Sequence, residues 1–178
     1  IPDTGRASAT GLADKVKARY REGFVKNRYI GRTFIMPGQK MRKRSLKFKL
    51  HPISLEFKGK NVLLVDDSIV RGNTSKKIVE LVREAGAKKV YFASASPPII
   101  GPDPYGIDLP TESELIAGSK DIEEIRKFIG ADGLFYSKIE DLHKAITYGN
   151  KKIKKFSEGC FTKKYPTPEV TPKLLKEL

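Results

Sequence analysis

The chain has 178 residues, 39% hydrophobic and 31% charged, enough for one ordinary domain with its own core and unlike a disordered chain. Thirty-five basic residues against 21 acidic ones leave a formal charge of +14, a field that attracts an anion such as nucleic acid, a polyphosphate or an acidic surface. No apolar run approaches the roughly 18 residues of a membrane span, no signal-peptide pattern opens the chain, and the single Cys160 cannot close an internal disulfide, so a membrane protein and a stapled secreted domain are excluded and a cytoplasmic setting is expected.

In chain order, Ser8 to Tyr20 has a helical pattern, with Leu12, Ala13, Val16 and Tyr20 on one side. Arg21–Val25 is a short strand candidate. From Gly23 to Leu55 there is no acid at all, and nine basic residues alternate with Tyr29, Phe34, Met36 and Phe48. Gly31, Pro37 and Gly38 break regular structure there, so the segment reads as a long mobile loop carrying anion-binding side chains. Asn61-Val62-Leu63-Leu64-Val65 is a continuous apolar run, suited to a parallel strand buried on both faces.

Ser75 to Ala85 has a helix stripe of Ile78, Val79, Val82 and Ala85, closed by Gly86. Val90–Ala95 is the next strand, stopped by Pro97-Pro98. Thr111-Glu112-Ser113-Glu114 has the form of a capping box opening a short helix. Asp121 to Ile129 is a further helix, Leu134-Phe135-Tyr136 a strand, and Ser137-Lys138-Ile139-Glu140 a second capping box before a helix to Ile146. Beyond Gly149 the periodicity fades into a Lys- and Pro-rich tail whose basic cluster reads as a solvated surface. Strands alternating with helices predict an α/β fold with a mainly parallel sheet.

Val62 to Thr74 is the stretch that carries chemistry. An apolar strand delivers Asp66 and Asp67 to the carboxyl end of a parallel sheet, where open α/β folds bind ligands. A tight polar turn and a helix start follow. Backbone N–H groups of that turn, the Thr74 hydroxyl and the helix dipole can hold one phosphate. The carboxylates repel phosphate, but suit sugar hydroxyls or a hard cation such as Mg²⁺. The implied ligand is a ribose 5-phosphate group. A plain strand end with a polar cap and no ligand is the bland alternative.

This pattern, Val62-Leu63-Leu64-Val65-Asp66-Asp67-Ser68-Ile69-Val70-Arg71-Gly72-Asn73-Thr74, resembles the phosphoribosyl pyrophosphate (PRPP) motif of type I phosphoribosyltransferases. Ile1-Pro2-Asp3-Thr4-Gly5, Tyr20 to Pro37, Tyr105-Gly106-Ile107-Asp108, Glu114-Leu115-Ile116-Ala117 and Ile129 to Leu134 resemble the glutamine PRPP amidotransferase (amidophosphoribosyltransferase) family. The resemblance implies a type I phosphoribosyltransferase fold, a parallel sheet flanked by helices, with its first strand largely missing here. It implies residues 1–148 as the incomplete core and 149–178 as a basic tail on or beside it. The expected activity is the PRPP half of the reaction that makes 5-phosphoribosylamine from PRPP and ammonia, the first step of de novo purine synthesis. A glutaminase domain would precede Ile1 in the parent protein, and a homo-oligomer is expected, with neither nucleic acid nor membrane as partner.

By the same resemblance, Asp66 and Asp67 face ribose and Mg²⁺, with Thr4 on the same metal. Ser68, Ile69, Val70, Arg71, Gly72, Asn73 and Thr74 surround PRPP, Val70 to Thr74 wrapping its 5-phosphate. Asp3, Thr4 and Gly5 face the pyrophosphate. The basic loop becomes a lid, with Lys26, Tyr29 and Arg32 as catalytic candidates and Lys49 as a PRPP contact. One branch of the family carries an iron–sulfur cluster on four cysteines. Here Asp103 and Ser157 stand at two of those positions, and one thiolate cannot hold a cluster, so none is expected. The alternatives are an RNA-binding regulator or a different nucleobase transferase on the same fold.

Overall fold

The computed structural model describes residues 1–29, 50–150 and 152–177. Helix α1 (Gly5–Lys15) is followed by strand β1 (Phe24–Lys26), strand β2 (Leu50–Pro52), a one-turn helix α2 (Ser54–Phe57) and strand β3 (Asn61–Asp66). Helix α3 (Asn73–Glu84), strand β4 (Lys89–Ser94), a 3₁₀ turn (Glu112–Glu114) and the short α4 (Ile116–Ser119) come next. Helix α5 (Ile122–Ile129), strand β5 (Gly133–Tyr136), α6 (Ile139–Thr147), α7 (Gly159–Thr162) and α8 (Pro172–Glu177) complete the order.

Strands β3, β4 and β5 form a parallel sheet in that order, with Leu64, Phe92 and Leu134 in one row. That row faces the main core. Ile78, Val79 and Val82 of α3 and Ile125 and Ile129 of α5 are at most 1% exposed there. Burying each such side chain contributes about 1.5–3 kcal/mol, so this one face fixes the register of the sheet. The Asp121 carboxylate accepts from Glu124 N while Glu124 caps Asp121 N, which starts α5 sharply.

The opposite face departs from expectation. Val65 and Ala93 are buried, but Leu63 is 45% and Phe135 56% exposed. Strand β3 is therefore not buried on both faces. Helix α1 lies along β3, while Phe135 on the same face stays more than half exposed. A groove of about 640 Å³ runs beside β3, lined by Leu12, Val16, Phe24, Asn61 and Leu63 among others.

Helix α1 begins three residues earlier than predicted and stops at Lys15, with Val16 56% exposed, so its apolar stripe is hardly used. The predicted strand at Arg21–Val25 lies at Phe24–Lys26 and pairs antiparallel with β2. That pairing corrects the loop reading of Gly23–Leu55, whose two ends form a ribbon. Pro52 hid the second strand, since proline is tolerated only at edges. Phe24 and Leu50 are buried, and the Phe24 ring meets Phe57 at 5.2 Å. The middle of the predicted loop lies outside the described residues.

Both predicted capping boxes fail. Thr111 makes no side-chain cap, because its hydroxyl meets Ser113 and the Glu114 carboxylate is taken by Arg71. Helix α6 is preceded by Lys138, also without a side-chain cap. In the tail, Cys160 is buried with Ile99 and Leu115, and its carbonyl accepts from Ile100 N and Gly101 N. The Tyr165 hydroxyl donates to Pro102 O.

Candidate functional site

Strand β3 ends on Asp66, and its carboxyl end is zipped to the end of β4. Ala95 N donates to Asp66 O and Ser96 N to Asp67 O, each at 2.9 Å. The chain then turns through Ser68 to Gly72. Ile69, 1% exposed, plugs this turn into the main core. Gly72 caps α3 in the left-handed region at φ 75°, where a side chain is disfavoured. A Cβ there would also lie 2.7 Å from Ile116 Cδ1, which would have to shift to admit it. Twelve residues of helix then run away from the turn, leaving their first N–H groups and positive dipole end at the site. Thr74, in the first turn of α3, is exposed.

The turn Pro2–Gly5 crosses the end of β3. A Cβ on Gly5 would fall 2.5 Å from Val65 O and 3.0 Å from Asp66 Cα, so only glycine permits this approach. The Pro2–Asp3 peptide is cis. Lys26 reaches back from β1 to the same turn, its Nζ 2.5 Å from Asp3 Oδ2. That hydrogen bond holds the Asp3 carboxyl below its usual range. Thus Asp3, Thr4, Gly5, Asp66, Asp67 and the turn to Thr74 share the carboxyl end of β3, with Lys26 at their margin.

The two carboxylates differ. Asp67 Oδ1 accepts from Ser68 N at 2.7 Å. Asp66 is pushed up to about 7, first by burial and then by the charge of Asp67. Among the described residues, no Lys or Arg side chain forms an ion pair with either one. The Ile1 ammonium offsets part of this charge on Asp66, and two adjacent carboxylates with no Lys or Arg paired to them are an arrangement that hydroxyl donors or a hard divalent ion would relieve.

Of the remaining candidates, Tyr29 is fully exposed, its N–H donating to Asn27 Oδ1, and it touches nothing in this cluster. Arg32 and Lys49 lie outside the described residues. The Arg71 side chain forks onto Glu114, Nε to Oε1 at 3.0 Å and Nη2 to Oε2 at 3.1 Å. Sequence reasoning missed Glu114 in that role. It also missed Ser94 and Tyr136, which align with Asp66 in one row across the sheet end. Their only sequence signal was position, two residues beyond the core row of Leu64, Phe92 and Leu134.

A family model described as "Phosphoribosyl transferase domain" matches residues 1–96, more than half of the chain. The chain belongs to the phosphoribosyl transferase domain family. It is 53% identical over all 178 residues to an amidophosphoribosyltransferase of Pseudomonas aeruginosa, covering 36% of that protein. It is 52% identical over 167 residues, 94% of the chain, to the amidophosphoribosyltransferase of Saccharomyces cerevisiae, covering 32% of it.

Among solved structures, it matches a Bacillus subtilis glutamine PRPP amidotransferase complexed with ADP and GMP. The TM-score is 0.80 at 46% identity, over 93% of this chain and 37% of that one. A structure described as the allosteric regulatory enzyme of purine biosynthesis gives 0.83 at 43% identity, over 99% and 38%. The chain thus spans about a third of the length of these phosphoribosyl transferase relatives.

Proposed function

We propose that this chain is the PRPP-binding part of an amidophosphoribosyltransferase, acting in the first step of purine synthesis. The observation that carries the reading is the meeting of two turns at one strand end. The Pro2–Gly5 turn crosses β3 at Val65 and Asp66, and Asp67 and the turn into the helix at Asn73 follow directly from that strand end. The 5-phosphate fits the N–H groups of Val70 to Thr74 and the amino end of α3. Ribose hydroxyls fit Asp66 and Asp67, and the pyrophosphate fits the Pro2–Gly5 turn. C1 of the ribose would then lie between the two turns. There the C1–O bond to pyrophosphate breaks, a C1–N bond to ammonia forms, and the amine loses a proton.

The donor set suits Mg²⁺, since two adjacent carboxylates and the Thr4 hydroxyl are hard oxygen ligands. A bound Mg²⁺ would neutralise charge developing on the leaving pyrophosphate. Lys26, here paired with Asp3, would add a second positive charge there once it leaves that carboxylate. Tyr29, Arg32 and Lys49 complete the proposed lid, which shields C1 from water. Residues 1–148 are read as the transferase core and 149–178 as its tail. The remaining two thirds of the parent would hold a glutaminase domain that supplies ammonia, in a cytoplasmic homo-oligomer. The similarities are to amidotransferases, so the RNA-binding and other nucleobase-transferase readings are set aside.

The test is calorimetry on the full-length protein with Mg²⁺-PRPP and with Mg²⁺-ATP. PRPP is expected to bind more tightly, and Thr74→Ala to weaken it. Equal affinity for ATP and PRPP, or indifference to Thr74, overturns the assignment.

A further inference from the structure

The turn from Ser68 to Gly72 is held from outside the site at three points. Ile69 is sunk in the main core. Val70 packs on the second cluster of Ile99, Leu115 and Cys160, and its carbonyl accepts from Ile116 N at 3.0 Å. Arg71 forks onto Glu114, 43 residues away in sequence. Glu114 is itself well anchored, because the next residue, Leu115, is 0% exposed. The sequence pattern assigned Glu114 to a helix cap, yet its carboxylate lies on Arg71 instead.

We propose that Arg71 is a positioning residue and Glu114 its partner. Their fork clamps the turn to the 3₁₀ segment at Glu112–Glu114 and holds the N–H groups of Val70 to Thr74 at the spacing of one phosphate. The guanidinium of Arg71 is then not itself a phosphate ligand. A planar guanidinium and a carboxylate match in two parallel bonds, which fixes direction as well as distance. A phosphate cradle built from backbone N–H groups needs that fixed direction, since its donors cannot rotate independently of the chain. A guanidinium already neutralised by a carboxylate also has little charge left for a phosphate. The clamp rests on the proposed function only in naming PRPP as the ligand.

The test is a double-mutant cycle in the full-length protein: Arg71→Gln, Glu114→Gln, and both. The readouts are PRPP calorimetry and hydrogen exchange of the residue 68–74 amides without ligand. A clamp predicts that either single change weakens PRPP binding about three- to tenfold, the scale of one lost charge-assisted fork. The double change costs no more than either alone. In Glu114→Gln the loss falls on KM for PRPP rather than on kcat, and exchange at 68–74 quickens equally in all three variants. Glu123→Gln breaks a comparable fork to Arg126 on α5 and is the control expected to leave PRPP affinity unchanged.

A direct phosphate contact predicts a different pattern. Arg71→Gln alone would lose affinity, and Glu114→Gln would keep or tighten it by releasing the guanidinium. That result overturns the clamp, as does unchanged exchange at residues 68–74 in Glu114→Gln. If the unaltered protein does not bind PRPP, the proposed function falls, and the exchange arm alone still decides the clamp.

Discussion

Asp66 and Asp132 sit at opposite ends of the same three-stranded sheet, and their surroundings are reversed. Asp132, just before β5, accepts from Val90 N at 2.7 Å and from Arg83 Nη2 at 2.8 Å. Those contacts, the Val90 N–H first, hold its carboxyl below the usual range. Asp66, at the end of β3, is buried beside a second carboxylate and pushed up to about 7. One aspartate serves the fold, tying β4 to the start of β5. The other is an electrostatic cost that the fold carries. Such costs gather at ligand sites more often than at plain strand ends. The proposed ligand would sit at the carboxyl end of β3, and the amino end is the internal control.

A catalytic carboxyl end should be far more sensitive to the loss of a charge than the amino end. Asp67→Asn in the full-length protein is expected to cut ammonia-dependent phosphoribosylamine formation by well over tenfold. Removing one electrostatic stabiliser of this kind costs about 2–4 kcal/mol of barrier. Near-normal turnover with ammonia would leave Asp67 as an ordinary strand-end residue.

Asp66→Asn should do the opposite to stability. A carboxyl raised from 3.8 to about 7 favours the unfolded state once it ionises. The sign follows from proton binding: between these two values the folded state holds more protons than the unfolded one, so stability falls as pH rises. Replacing the acid with an amide removes that slope. The ligand-free protein should gain about 1–4 kcal/mol at pH 8, and nothing near pH 3.5. Unfolding curves at the two pH values check this, and a variant less stable at pH 8 would remove the electrostatic contrast.

Asp132→Ala should cost about 1–3 kcal/mol, because Val90 N–H loses its acceptor in a buried strand. Its pH slope has the other sign. The carboxyl is lowered in the folded state, so its contribution is full above the unfolded value and is lost as pH falls through the folded one. PRPP affinity should not follow it. Equal loss of PRPP binding and of stability in Asp132→Ala would show that the two ends of the sheet are not independent.

The strands and helices of the sheet were legible because their periods are strong. The run Asn61–Val65, the stripe Ile78-Val79-Val82 and the Asp121 to Ile129 helix each needed only local reading. Asp66, Asp67 and the turn to Thr74 were legible for the same reason, since strand, turn and helix follow without a break. What stayed hidden depends on residues distant in sequence. Pro52 masked a strand that only its pairing with Phe24–Lys26 reveals. The exposure of Leu63 and Phe135 depends on which helix covers the second face, which a single apolar run does not encode. Glu114 looked like a cap because a capping box is a local pattern, while its partner is 43 residues away.

The sheet end next to Asp66 carries a second polar group whose removal should have a smaller consequence. Tyr136 shares the terminal row with Asp66 and Ser94, and its ring packs on the main core. Its hydroxyl is buried without a hydrogen-bond partner among the described residues, and burial pushes it up to about 12. A buried hydroxyl that has given up water and gained no partner is a net cost. Tyr136→Phe keeps the ring and removes that cost, so stability should rise by up to about 1 kcal/mol. If the hydroxyl is only a packing remnant, PRPP affinity stays as it was. If it faces a ligand, the same change weakens PRPP binding while the ligand-free protein is still stabilised. Melting temperature with and without PRPP separates the two. A destabilised ligand-free variant would show that the hydroxyl is already satisfied, and would confine the unmet electrostatics of this end to Asp66 and Asp67.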